Sequence, residues 1–289
     1  MSGADRGGVL SIDIGGTKTM VALIENGTIL ERRVAPTEAG ATPDDWVAAA
    51  ADLAGDMRHL ASRVAAAVTG RIKDGAWSAL NAATLDVPQR FPLVARLENT
   101  FGLPGLAVND AQAAAWAEFR HGAGQGKDMV FLTVSTGVGG GIVLGGRLIS
   151  GRGGIAGHFG ITDRLGPGIF EDRVSGRWMA AEAARAGAPT GADARTVFAA
   201  AANGAVWAEA IIDQSAARMA GLMSNIQVTL DPEVVVLGGG IGLAPGYLAR
   251  IKEKCAALPG YARPDLVAAH VGAEAGIMGA AALADQETD

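Results

Sequence analysis

The fold is decided by the stretch Leu10-Ser-Ile-Asp-Ile-Gly-Gly-Thr-Lys-Thr-Met-Val-Ala-Leu-Ile24, an apolar run interrupted once at 13–18. Its flanks are too short for helices, so the pattern predicts two β-strands joined by a glycine turn. Glycine lets backbone N–H groups approach a ligand, and a hydroxyl and an ammonium complete a set of donors that suits phosphate. An ordinary hairpin with a solvated Lys18 is the alternative. The residues that would bind phosphate are Asp13, Gly15, Gly16, Thr17 and Lys18.

Composition narrows the class of protein. The chain has 289 residues, 49% of them hydrophobic, which suits one large domain or two of ordinary size. A net charge of −6 without a dense basic stripe argues against nucleic acid as the main partner. The single cysteine, Cys255, excludes an internal disulfide framework and fits a reducing cytoplasm. No leader or membrane-spanning segment is visible, so we expect a cytoplasmic protein.

Hydrophobic patterning further along the chain predicts an α/β architecture built twice. Strands and helices alternate as β-β-β-α-β-α-β up to Asn109. The opening pattern of strand, glycine turn and strand then returns over 128–149. We therefore predict two α/β lobes with a cleft between them, residues 1–109 and 110–273, with the helix at 274–289 packing back on the first lobe.

The first helix is predicted from its cap and its spacing. Thr42 and Pro43 are typical of a helix start. Apolar residues then recur at steps of three and four, which predicts one buried stripe along the helix. Its members are Trp46, Ala50, Leu53, Met57, Leu60 and Val64.

Three glycine turns follow strongly apolar strands, at 13–18, 135–141 and 238–242. Strand ends that point the same way would bring such turns together around a polyphosphate. None of the turns fits the P-loop or the dinucleotide-binding fingerprint. The sequence therefore predicts a nucleotide site of another kind.

The order and spacing of several motifs resemble the ROK family of bacterial sugar kinases over nearly the whole chain. These motifs are Asp13-Ile-Gly-Gly-Thr-Lys18, Asn109-Asp110, Ser135-Thr-Gly-Val-Gly-Gly-Gly141, Gly157-His158 and Leu237-Gly-Gly-Gly240. The resemblance implies the two-lobed actin/hexokinase-like (ribonuclease H-like) ATPase fold. Within the family, the segments 68–81, 107–119 and 128–141 look most like the kinases of N-acetylmannosamine that act in sialic acid breakdown.

The resemblance implies roles on the sugar side. Asp110 would be the catalytic base that accepts the proton of the sugar's 6-hydroxyl, although an Asp at a helix start also serves as a cap. Asn109 would bind neighbouring hydroxyls, as would His158 and Glu171. Asn81 would contact the sugar or its N-acetyl group, or would only form a turn.

On the nucleotide side, the resemblance implies ATP with Mg²⁺. The turn at Asp13 and the pair Thr136 and Gly137 would hold the β- and γ-phosphates, with Asp13 near Mg²⁺ directly or through water. Gly239 and Gly240 would lie beside the adenosine. For Lys18, phosphate contact and a solvated charge stay equally open.

The segment after His158 departs from the family pattern. Many members bind a structural zinc there through three cysteines, which this chain lacks, so we expect no zinc site. We expect Leu165, Ile169 and Phe170 to hold the loop by packing inward. Ile155 stands where many glucose-specific members carry a glutamate, which favours N-acetylmannosamine over glucose.

Other functions stay open at this stage. A kinase of glucose, N-acetylglucosamine or another hexose is the nearest alternative. A sugar-sensing regulator is less favoured, because only twelve residues precede Asp13 and no basic recognition helix is visible. The resemblance also implies a homodimer, with a small-molecule sugar and ATP as the ligands.

Overall fold

The computed structural model describes residues 7–80, 85–165 and 168–286, so the predicted sugar contact at Asn81 lies outside the described residues. The chain forms two compact units. Unit 1 comprises residues 1–121, 150–156 and 273–289, and unit 2 comprises residues 122–149 and 157–272. The division therefore falls at 121/122 instead of 109/110, because the helix that follows Asn109 packs within unit 1.

The strands, in chain order, are β1 (Gly8–Ile14), β2 (Lys18–Glu25), β3 (Thr28–Pro36), β4 (Ala61–Val68), β5 (Arg71–Lys73), β6 (Ala76–Ser78), β7 (Gly105–Asn109), β8 (Met129–Val134), β9 (Val138–Leu144), β10 (Arg147–Leu148), β11 (Val234–Gly238) and β12 (Leu266–Ala268). The α-helices are α1 (Pro43–Ala54), α2 (Leu93–Phe101), α3 (Asp110–His121), α4 (Gly176–Arg185), α5 (Ala194–Ala202), α6 (Val206–Leu230), α7 (Tyr247–Ala256) and α8 (Ala275–Gln286). Short 3-10 helices connect several of these elements.

Unit 1 is built on a five-stranded sheet in the order β3-β2-β1-β4-β7. The strands β1 and β2 run antiparallel, as expected of two strands joined by a glycine turn, β3 is antiparallel to β2, and β4 is parallel to both β1 and β7. Helix α8 packs on β1, where the hydroxyl of Ser11 donates to the carbonyl of Ile277 at 2.7 Å. Helices α3 and α8 cross so closely that a Cβ on Gly279 would lie 1.8 Å from the carbonyl oxygen of Ala113. Only glycine permits this crossing.

Helix α1 starts as predicted but ends earlier than its apolar spacing indicates. The hydroxyl of Thr42 accepts from the N–H of Asp45, and the Asp45 carboxylate accepts in return from the N–H of Thr42. The helix stops at Ala54 because Gly55 adopts a φ of +54°. The predicted stripe is therefore wrong in its last members, since Leu60 is 46% exposed and Val64 lies in β4.

Unit 2 repeats the sheet of unit 1, with five strands in the order β10-β9-β8-β11-β12. Here β8, β9 and β10 run antiparallel, while β11 is parallel to both β8 and β12. Cys255 is buried on α7, and burial raises the pKa of its thiol. None of the helices in the described part of the chain has the length and apolar character needed to cross a membrane.

Candidate active site

Asp13 lies at the end of β1, before the first glycine turn. The pKa of its carboxyl is raised to about 7, chiefly by burial and in addition by the negative charge of Asp110, while Lys18 opposes the rise. Helix α8 also approaches this side chain, because a Cβ on Gly276 would lie 2.9 Å from an Asp13 carboxylate oxygen. The turn itself is tight, with the N–H of Gly15 donating to the carbonyl of Lys18 at 3.1 Å. Two predicted site residues, Asp13 and Asp110, are thus electrostatic neighbours in unit 1.

Asn109 and Asp110 mark the passage from β7 to α3. The cap of α3 is Asn109, whose side-chain oxygen accepts from the N–H groups of Ala111 and Gln112, both at 3.0 Å. Its amide nitrogen donates to the carbonyl of Gly70 and to Oδ1 of Asp110, both at 2.9 Å. The same Asp110 oxygen accepts from the N–H of Ala111 at 2.8 Å. Asn109 therefore caps the helix and holds the carboxylate of Asp110 in one orientation.

Gln112 is a residue near the site that sequence reasoning missed. Its side chain is buried, and its amide nitrogen donates to the carbonyl of Ala156 at 2.9 Å. This bond fixes one end of segment 150–156. Further back in the segment, Gly154 lies so close to β5 that a Cβ there would be 1.9 Å from the carbonyl of Ile72. No sequence signal distinguishes Gln112 from an ordinary residue in the first turn of a helix.

In unit 2, the second and third glycine turns lie side by side. The turn that contains Thr136 is closed by the N–H of Ser135, which donates to the carbonyl of Gly137 at 2.9 Å. Gly239 has a φ of +85°, and a Cβ there would lie 2.4 Å from the carbonyl of Val134, the last residue of β8. Thr136 and Gly240 are exposed. The turns predicted to meet phosphate and adenosine are thus adjacent at the ends of neighbouring strands.

Glu171 packs directly on the second glycine turn. One carboxylate oxygen accepts from the N–H of Val138 at 3.0 Å, and the other accepts from the guanidinium of Arg177 at 2.6 Å. A Cβ on Gly137 would lie 2.7 Å from Glu171, so this approach requires glycine. Sequence reasoning proposed Glu171 from the family resemblance and did not single out Arg177, its partner in this pair.

The predicted residue His158 lies half-buried beside β9. Its neighbour Gly157 touches the strand, since a Cβ there would lie 2.9 Å from the Cα of Gly141. A Cβ on Gly160 would lie 2.1 Å from the carbonyl of Val138. The glycines on either side of His158 therefore fix its backbone on the strand that also binds Glu171.

Polar contacts close the loop after His158. Leu165 is fully exposed, so the expectation that it packs inward is wrong, whereas Phe170 is buried. The ends of the loop are joined by an ion pair between Asp163 and Arg173 and by the N–H of Phe170, which donates to the carbonyl of Thr162 at 3.0 Å. Within residues 7–80, 85–165 and 168–286, no group of three or more His, Cys, Asp or Glu side chains is placed to hold a metal ion.

The two sheets of like topology and their glycine turns define the class of actin/hexokinase-like phosphotransferases, as predicted. The chain belongs to the ROK family, whose model matches residues 9–287. A ROK family glucokinase from Streptomyces griseus, solved with glucose and AMPPNP, is similar at 29% identity and a TM-score of 0.82, over 97% of this chain and all of that one.

Two curated relatives are similar along nearly the whole chain. An N-acetylmannosamine kinase of Escherichia coli O9:H4 is 48% identical over 96% of this chain and 98% of its own length. The bifunctional enzyme NanE/NanK of Brucella melitensis biotype 1 is 48% identical over 96% of this chain. The chain spans about half the length of that bifunctional enzyme, 54% of it.

Proposed function

We propose that the protein is an ATP-dependent kinase that phosphorylates the 6-hydroxyl of N-acetylmannosamine. The observation that carries the proposal is the fixed carboxylate of Asp110, which two donors hold at the start of α3 beside Asp13. The identity to N-acetylmannosamine kinases supports the substrate, and the AMPPNP complex of a relative supports the nucleotide.

The proposal assigns the chemistry to Asp110. Phosphoryl transfer needs a positioned acceptor hydroxyl and neutralised phosphate charge, with little covalent work for the protein. Asp110 accepts the proton of the 6-hydroxyl as this oxygen attacks the γ-phosphorus, and the bond from that phosphorus to the bridging oxygen of ADP breaks. Asn109 orients the base through its amide nitrogen, and a direct contact from Asn109 to the sugar stays a prediction.

The donor set around Asp13 fits Mg²⁺. Two neighbouring carboxylates offer the oxygen ligands that this ion takes, and burial together with the charge of Asp110 disfavours an uncompensated negative charge on Asp13 and raises its pKa to about 7, which supports a cation there. Asp13 would hold the ion, with Asp110 as its neighbour. When bound with ATP, Mg²⁺ neutralises charge on the phosphates.

The remaining proposed ligand-binding residues are divided between the two units. In unit 1, the turn formed by Gly15, Gly16, Thr17 and Lys18 binds phosphate. In unit 2, Thr136 and Gly137 bind phosphate, Gly239 and Gly240 lie beside adenosine, and Glu171 and His158 bind sugar hydroxyls. We further propose a cytoplasmic homodimer without structural zinc, on the family resemblance and on the ion pair that closes the loop at Asp163.

A kinase of another hexose is the second candidate, favoured by the likeness to a glucokinase that binds glucose. ADP release with Mg-ATP across N-acetylmannosamine, N-acetylglucosamine, glucose and mannose separates the two. We expect preference for N-acetylmannosamine and a loss of at least about a hundredfold in kcat for Asp110→Asn. Asp193→Asn is the matched control, because Asp193 also starts a helix and asparagine caps equally well.

Each outcome of this assay has a defined meaning. Preference for another hexose would change the proposed substrate but leave the assignment as a kinase intact. Turnover that survives in Asp110→Asn would remove Asp110 as the base. Absence of turnover with every sugar would overturn the proposed function and favour a non-catalytic sugar-binding protein.

A further inference from the structure

Arg177 pairs with Glu171, which the proposed function makes a sugar ligand in unit 2, and the proposed reaction assigns Arg177 no role. It is the second residue of α4. Its guanidinium donates to one oxygen of Glu171 at 2.6 Å, while the other oxygen accepts from the N–H of Val138 at 3.0 Å. The Glu171 side chain is 13% exposed and that of Arg177 is 45% exposed. The carboxylate is therefore held at both oxygens.

The start of α4 is fixed by the second glycine turn. The N–H of Gly176 donates to the carbonyl of Ser135 at 2.8 Å, and the N–H of Arg177 donates to the carbonyl of Thr136 at 3.4 Å. The guanidinium reaches back over the same turn, where a Cβ on Gly137 would lie 3.5 Å from it. The turn predicted to bind phosphate thus sets the position of the guanidinium.

We propose that Arg177 is a positioning residue that orients Glu171 for the hydroxyls of the sugar. This inference rests on the proposed function, in which Glu171 is a sugar ligand. Each carboxylate oxygen has two lone pairs, so each retains one acceptor position after its bond to Arg177 or Val138. A planar, permanently charged guanidinium fixes the carboxylate plane better than an ammonium does, because its donors form a rigid fork.

The test compares Arg177→Met and Arg177→Lys with the matched control Arg185→Met. Arg185 lies on the same helix and also pairs with a glutamate, Glu182, but its side chain is 70% exposed and Glu182 has no proposed role in the site. We expect Arg177→Met to raise the KM for the sugar roughly ten- to a hundredfold, since it removes a hydrogen bond between charged groups. The KM for ATP should change less than about threefold. Arg177→Lys should fall between Arg177→Met and the wild type, and Arg185→Met should match the wild type.

A double-mutant cycle separates positioning from a general structural effect. If Arg177 acts through Glu171, adding Arg177→Met to a Glu171→Gln variant should change the KM for the sugar less than about threefold. Additive effects would overturn the inference. Melting temperatures identify any variant that does not fold, and Arg177→Lys, which keeps the charge, supplies the cycle in that case.

The wild-type assay distinguishes this inference from the function on which it rests. Absence of wild-type turnover with every sugar overturns the proposed function, and it also overturns the role of Arg177, which rests on that function. Wild-type turnover together with an unchanged KM for the sugar in Arg177→Met overturns only the role of Arg177. A rise confined to the KM for ATP has the same meaning, because it would place the guanidinium on the nucleotide.

Discussion

The buried carboxyl of Asp13 makes the stability of the metal-free protein depend on pH. Its pKa rises from 3.8 to about 7 on folding, so the folded state favours the protonated form. The neutral carboxyl causes no loss of stability below pH 3.8, and stability decreases progressively as the pH rises from 3.8 to about 7, where the folded-state group ionises, and changes little above that. The full shift corresponds to a destabilisation of about 2 kcal/mol at pH 5.5 and about 4 kcal/mol at pH 8.

Asp13→Asn removes this charge with little change in shape. Relative to wild type, its free energy of unfolding should therefore gain up to about 2 kcal/mol more at pH 8 than at pH 5.5. This difference in the free energy of unfolding is an upper limit, because water reaches part of the Asp13 side chain. Urea unfolding with EDTA at both pH values measures it. The pH dependence should weaken in Asp110→Asn, which removes a negative charge, and strengthen in Lys18→Met, which removes the opposing cation. An Asp13→Asn effect that is equal at both pH values would refute the reasoning.

Three further predictions concern local packing. Asn109→Ala should lower the free energy of unfolding by about 1–2 kcal/mol through loss of the α3 cap, and should also lower kcat; an unchanged kcat would show that Asn109 does not orient the base. Gly239→Ala should destabilise by at least about 1 kcal/mol because of its positive φ and its close carbonyl contact, whereas Gly240→Ala, with nothing within 4 Å, should stay within about 0.5 kcal/mol. Phe170→Ala should cost about 3–5 kcal/mol, while the exposed Leu165→Ser should be neutral by urea unfolding; equal losses would contradict the described loop.

Most of the fold could be predicted from local pattern. The opening stretch indicates β1 and β2 because its apolar runs are short and a glycine turn separates them. The same pattern over 128–149 indicates β8 and β9, whereas the order of the strands in both sheets came from the structure. The end of α1 could not be predicted from the spacing. Leu60 and Val64 continue the helical spacing by chance, while Gly55 ends the helix through its backbone conformation.

The candidate site was predicted in part, for a physical reason. Asp13 and Asp110 stand in motifs whose residue types indicate chemistry, and the role proposed for Glu171 came from the family resemblance. The contact of Gln112 depends on a backbone carbonyl 44 residues away, which the local pattern does not indicate, and the pairing of Arg177 with Glu171 depends on the conformation of the chain between them. The same holds for Leu165, whose apolar side chain gives no sign that the loop leaves it exposed.

Cys255 gives this protein a built-in reporter of local opening. It is the only thiol of the 289 residues and lies buried in unit 2, with its pKa raised by burial, so alkylating reagents should react with it only when its surroundings open. The rate of labelling, divided by that of a free thiol, yields the free energy of opening for unit 2 alone. Comparison with the free energy of global unfolding would then tell whether the two units unfold together or one at a time.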